Sequence, residues 1–206
     1  MSNPKVYIVD DDEAVLDSVR LLLRSVDYDV ETFSSAKAFL EQAPHIRAGC
    51  LLLDVRMPGM SGLDLQQQLR QRGVPIPIIF ITGHGDVPMA VQAMQAGAFD
   101  FLQKPFRDQD LLDRIAEALT LDQNRRNNQL HMDDVRERLE QLSPREREVL
   151  DLVTKGQANK VIALELNLSQ RTVEIHRARV MEKMEARSLA DLVRMMLLIE
   201  AGDNNG

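Results

Sequence analysis

Cys50-Leu51-Leu52-Leu53-Asp54-Val55-Arg56-Met57-Pro58-Gly59-Met60-Ser61-Gly62 is an apolar run that ends on a carboxylate and then breaks into turn residues. A short apolar run bounded by turn signals is the pattern of a strand buried on both faces. Such a strand needs helices above and below it, which is the arrangement of a parallel sheet. On either side of it, β-rich runs fall at residues 5–9, 28–33, 76–81 and 98–103, with helical patterns between them. Ala14, Val15, Val19, Leu22 and Leu23 recur at helical spacing, as do Leu111, Leu112, Ile115 and Leu119. The first 119 residues therefore predict an α/β layer structure, a doubly wound five-stranded parallel sheet.

The 206 residues exceed one small core and suit one ordinary domain plus a smaller one. With 44% hydrophobic and 28% charged residues, the composition is that of a soluble globular protein. No window approaches a membrane span, and the N-terminus reaches acids too early for a signal peptide, so cytoplasm and no membrane partner are expected. The single cysteine, Cys50, lies in the apolar run and reads as a buried structural thiol. His45, His84, His131 and His176 lack ligand spacing, which argues against zinc. The net charge of -7 argues against nonspecific coating of nucleic acid. That charge is uneven: residues 1–119 carry 11 Lys+Arg against 17 Asp+Glu, whereas residues 143–187 carry 9 against 7.

Ligands of parallel α/β sheets bind beyond the C-terminal ends of the strands. There the sequence places Asp10-Asp11-Asp12, Asp54, Thr82 and Lys104-Pro105. Converging carboxylates at Asp10, Asp11 and Asp54 are unfavourable unless a hard divalent cation such as Mg²⁺ sits among them. Asp54 can attack phosphorus and form an aspartyl phosphate. Lys104 supplies a positive charge for phosphoryl oxygens and Thr82 a hydroxyl. Acids after a strand also cap helices, and Asp12 and Glu13 are read that way.

From about residue 120 to 141 the chain turns polar and charged, a linker of residues 120–141. Val135, Leu139 and Leu142 at helical spacing leave open a helix or short coiled coil, or a solvated helical connector. Ser143, Pro144 and Glu146 then spell a helix start with a capping box, and Gly156 its end. A second helix over 158–166, a tight turn at Asn167-Leu168, and a third helix capped by Ser169 and running to about Met184 form helix-turn-helix geometry. A fourth helix follows over 188–200. On the third helix Val173, Val180 and Met184 are expected to face inward. Arg171, Glu174, Ile175, Ala178 and Arg179 form the opposite face, a candidate for base contacts, joined by Thr172. Asn159 and Lys160 suit phosphates. Periodicity alone fits a small helical bundle with a charged surface equally well.

Val9-Asp10-Asp11-Asp12, Asp54-Val55-Arg56-Met57-Pro58-Gly59, Thr82-Gly83-His84-Gly85-Asp86-Val87 and Phe101-Leu102-Gln103-Lys104-Pro105-Phe106 resemble the receiver domain of bacterial response regulators, most of all the FixJ branch. Leu142 to Leu150, Gly156, Asn159 to Ala163, Ser169, Thr172, Val173 and His176 resemble the LuxR-type helix-turn-helix domain. The resemblance is thus to a FixJ/NarL-type regulator. It implies a flavodoxin-like receiver at 1–119 and an all-α four-helix DNA-binding domain at 142–201. It also implies Asp54 as phosphoacceptor; Asp11, Asp54 and the backbone carbonyl of Arg56 as Mg²⁺ ligands, with Asp10 assisting through water; and a cis Lys104-Pro105 bond. Thr82 and Phe101 would be the switch pair. Many relatives carry lysine where this chain has Glu174, which leaves base preference open.

The implied partners are a sensor histidine kinase, double-stranded promoter DNA, a second copy of the chain when phosphorylated, and RNA polymerase. Leu189, Leu192, Val193, Met196 and Leu197 of the last helix are expected mostly in the core, with a second copy as a further contact. An enzymatic effector is not expected, because residues 140–206 hold no nucleophile-base pair, nucleotide loop or metal cluster. A protein-docking tail and an RNA-binding antiterminator are the remaining readings, the latter disfavoured by a turn spacing suited to a duplex groove.

Overall fold

A computed structural model describes residues 5–46, 48–83 and 87–203. Two compact units, Met1–Arg125 and Arg126–Gly206, divide the chain. The first alternates β1 (Lys5–Val9), α1 (Glu13–Ser25), β2 (Asp29–Phe33), α2 (Ala36–Gln42), β3 (Gly49–Asp54), α3 (Gly62–Gln71), β4 (Ile78–Thr82), α4 (Val87–Gln95) and β5 (Asp100–Gln103). The five strands are all parallel in the order β2-β1-β3-β4-β5. That order reverses between β1 and β3, where a doubly wound sheet opens its ligand crevice.

Every residue of β3 is buried, which explains its lack of polar alternation. Leu51 and Leu53 pack on one face with Phe39, Leu65 and Phe80. Cys50 and Leu52 pack on the other with Leu16, Leu23, Leu111 and Ile115. Cys50 is the buried thiol expected, its ionisation pushed up by burial. On α1 the inward residues are Leu16, Val19 and Leu23, with Val15 and Leu22 at the margin and Ala14 exposed.

The helix after β5, α5 (Asp108–Glu140), runs without a break through residues 120–140 of the polar stretch. Val135 and Leu142 are buried in the core of the second unit, and Leu139 packs against it. Four helices follow: α6 (Pro144–Thr154), α7 (Asn159–Glu165), α8 (Gln170–Lys183) and α9 (Leu189–Asp203). Ser143 caps α6, its hydroxyl accepting from Glu146 N–H while the Glu146 carboxylate accepts from Ser143 N–H. Ser169 caps α8 by accepting from Thr172 N–H at 3.0 Å. Asn167, at φ 54°, turns the chain between α7 and α8. The expected inward stripe of α9 is corrected. Only Leu192 of its five residues is fully buried, while Leu189 and Leu197 are exposed. Met195 and Ile199 complete the inward row, since the helix presents 192, 195 and 199 to α6 rather than 189, 193 and 197.

Candidate functional site

Strand register alone gathers the acidic crevice. Val9 pairs with Leu53, so the next residues, Asp10 and Asp54, emerge side by side. Asp54 pairs with Ile81, one residue before Thr82, and Thr82 pairs with Gln103, one residue before Lys104. A backbone bond from Lys104 N–H to Thr82 O at 2.8 Å folds the lysine over the strand ends. Its Nζ lies 2.9 Å from Asp10 Oδ2 and 3.7 Å from Asp54 Oδ1. Asp54 Oδ2 accepts from Arg56 N–H at 2.7 Å, and Asp10 Oδ1 from Asp12 N–H at 2.9 Å. Asp12 accepts from Ala14 N–H and so caps α1. Asp10, Asp54 and Thr82 are buried, whereas Asp11 is exposed. Burial raises the Asp54 carboxyl above its ordinary value. The Arg56 N–H and Lys104 oppose that rise; Asp10 and Asp11 add to it.

Lys104 therefore neutralises the paired acids. Among the described residues, no group of three or more His, Cys, Asp or Glu side chains is assembled to hold a metal ion. Mg²⁺ typically takes one or two carboxylates and keeps several waters, so Asp10 and Asp11 beside Asp54 fit it by donor chemistry. Phe101 is half-buried, its ring centroid 6.3 Å from that of Phe80 in the core. The Lys104–Pro105 peptide is cis. His84, Gly85 and Asp86 lie outside the described residues.

In the second unit, α8 turns Val173, Val180 and Met184 inward and leaves Arg171, Glu174, Ile175, Ala178 and Arg179 exposed. Thr172 sits at the first turn, its hydroxyl 2.7 Å from that of Ser169. Lys160 is exposed at the start of α7, whereas Asn159 Oδ1 accepts from Arg177 Nη1 at 3.1 Å and so links α7 to α8. A short helix, a tight turn and a second helix with one polar exposed face form a unit that can enter a major groove.

Residues 6–116 match the family described as response regulator receiver domain, and residues 140–196 match the bacterial regulatory proteins of the LuxR family. The chain belongs to the response regulators. It joins a receiver to a LuxR-type DNA-binding domain, as in the transcriptional response regulators of two-component systems. The response regulator protein TodT of Pseudomonas putida is 52% identical over 190 residues, 92% of this chain and 84% of its own. The transcriptional regulatory protein FixJ of Rhizobium meliloti is 48% identical over 206 residues, 96% of this chain and 97% of its own. The solved structure of the response regulator StyR is 48% identical, with a TM-score of 0.84 over 95% of this chain and 98% of that one.

Two buried polar side chains of this response regulator, Asp122 and Gln66, escaped sequence reading, and a third, Glu146, has a partner that sequence did not show. Asp122 of α5 accepts from Gly49 N–H at 2.9 Å and anchors that helix to the start of β3. Glu146, read as a cap, also pairs with Lys183 at 2.7 Å. Gln66 of α3 donates through Nε2 to Ala93 O at 3.1 Å. Only Glu146 had a local signal, the box motif. The other two depend on partners 73 and 27 residues away, which no periodicity reveals.

Proposed function

We propose that Asp54 accepts a phosphoryl group from a sensor histidine kinase, and that the modified chain pairs with a second copy to place two α8 helices on promoter DNA. The Lys104 ammonium bridging Asp10 and Asp54 at one strand-end crevice carries this reading. An Asp54 carboxylate oxygen attacks phosphorus, an O–P bond forms, the P–N bond of the phosphohistidine breaks, and the leaving imidazole takes up a proton. Lys104 and the Thr82 hydroxyl face the equatorial oxygens of the transferring group. Asp10, Asp11, Asp54 and the Arg56 carbonyl would hold Mg²⁺, which supplies neutralising charge to those oxygens.

The switch assigned to Thr82 and Phe101 rests on their adjacency: Phe101 lies on β5, beside the strand that ends in Thr82, with its ring only partly in the core. Arg171, Thr172, Glu174, Ile175, Ala178 and Arg179 would meet base edges or neighbouring phosphates, and Asn159 and Lys160 the backbone. The working division is a receiver at 1–119, a helical linker at 120–141 and a reading domain at 142–201. RNA polymerase and a cytoplasmic location complete the reading. It assigns the second unit to DNA rather than to a catalytic effector. No helix among the described residues is long and apolar enough to cross a membrane.

The test compares DNA affinity with and without a small phosphodonor for the native chain and for Asp54→Asn. Stimulation is expected in the native chain alone; equal stimulation of both removes Asp54 as acceptor.

A further inference from the structure

Two neighbouring side chains on the outward face of α8 are poorly suited to phosphates. Ile175 stands roughly 160° and 140° round the helix from the inward Val173 and Val180, at the crest of the exposed face. It is 46% exposed. Ala178, three residues on and also exposed, adds only a methyl, so the helix can lie close to base edges there.

Glu174 is exposed and its carboxylate has no hydrogen bond or ion pair among the described residues. No bond joins it to Arg171 one turn earlier, and Arg177 one turn later donates to Asn159 Oδ1 instead, at 3.1 Å. A carboxylate left free on a helix lying in a groove is repelled by the phosphates on either side. It therefore lowers affinity for every duplex unless a base donates to it. The four major-groove edges differ in what they offer. Guanine and thymine accept, adenine sets its amino donor beside the N7 acceptor, and cytosine alone presents an amino donor with no acceptor next to it. Thymine adds a methyl group, which suits an aliphatic side chain.

We propose that Glu174 and Ile175 set the operator sequence, an inference that rests on the reading of the second unit as a DNA-binding domain. The Glu174 carboxylate accepts from the N4 amino group of a cytosine. Ile175 covers the C5 methyl of a thymine in a neighbouring base pair. Arg171 and Arg179, exposed on the same face and unpaired among the described residues, supply the attraction that holds the carboxylate in the groove.

Selection from random-sequence duplexes by the full phosphorylated chain, and by its Glu174→Lys and Ile175→Ala variants, tests this. Glu174→Lys adds a cation that tightens binding to all duplexes alike, so the readout is base preference at fixed salt. The native chain is expected to enrich half-sites with a cytosine beside a thymine. Glu174→Lys should exchange that cytosine for guanine, whose O6 and N7 accept from lysine, by about tenfold in preference, and keep the rest of the half-site. Deoxyuridine in place of the thymine removes only the methyl group and should weaken native binding about threefold. Ile175→Ala should not register that replacement. An enriched site lacking the cytosine, an unchanged preference in Glu174→Lys, or equal deoxyuridine sensitivity in Ile175→Ala overturns the assignment and leaves DNA binding by the second unit standing. No enriched sequence with the native chain removes both.

Discussion

At Gly62 the acidic crevice depends on close approach. A Cβ placed on Gly62 would lie 2.1 Å from the backbone oxygen of Asp54 and 3.1 Å from its carbonyl carbon. Backbone cannot yield as a flexible side chain can, so the turn after β3 tolerates nothing larger than glycine there. Gly62→Ala is expected to destabilise the chain by on the order of 3 kcal/mol, visible as a lowered unfolding midpoint. An unchanged midpoint would mean that the 55–62 loop moves freely. Lys104 works by charge instead. With Lys104→Ala, Asp10 and Asp54 stay buried without their cation, the Asp54 carboxyl rises further above its ordinary value, and the site loses its donor to the phosphoryl oxygens. The initial rate of phosphorylation by a small phosphodonor should fall about hundredfold. A rate within twofold of native would show that Lys104 only neutralises the resting acids.

At the scale of the element, α6 carries a titratable stop. Glu146 accepts from Lys183 and from Ser143 N–H, and these bonds lower its carboxyl from 4.5 to about 2. A carboxyl depressed in the folded chain stabilises above its ordinary value and loses that contribution as pH falls through the depressed one. Protection of α6 amides from hydrogen exchange is thus expected to weaken as pH drops from about 4.5 toward about 2, after correction for intrinsic exchange. Glu146→Gln should flatten that dependence and cost about 2 kcal/mol at neutral pH. An unaltered acid profile in the variant would assign the sensitivity elsewhere.

Elements also show where sequence reading succeeds and fails. The strands were legible because β3 is apolar throughout and the other runs end at turns. Most of the strand-end crevice followed once the strand ends were known. The helical course of the 120–141 stretch was legible from Val135, Leu139 and Leu142, but its fusion with the helix of Leu111 to Leu119 into one element was not, because polar residues dominate the middle and no apolar stripe continues through it. Within it, pairs such as Arg114–Glu117 and Arg138–Asp134 meet at helical spacing. For α9 the apolar residues outnumber those the core can take, so composition could not say that Leu192, Met195 and Ile199 would be chosen.

For the whole molecule, charge limits how DNA can be bound. Residues 143–187 hold only two more basic than acidic side chains, and the chain as a whole is at -7. Bulk attraction to phosphates is therefore weak, and the proposed pairing would add affinity by letting two reading helices act together. Paired helices impose a geometry that a single one does not: half-sites about one helical turn apart, on the same side of the duplex. Inserting about 5 base pairs between half-sites rotates one to the opposite side, and inserting about 10 restores the facing. The phosphorylated native chain should lose at least about tenfold in affinity with the first insertion and regain part with the second, measured by footprinting at fixed salt. Asp54→Asn, held unpaired, should be indifferent to spacing. If the phosphorylated chain is equally indifferent, each copy reads DNA alone and the pairing proposed for the receiver has no part in recognition.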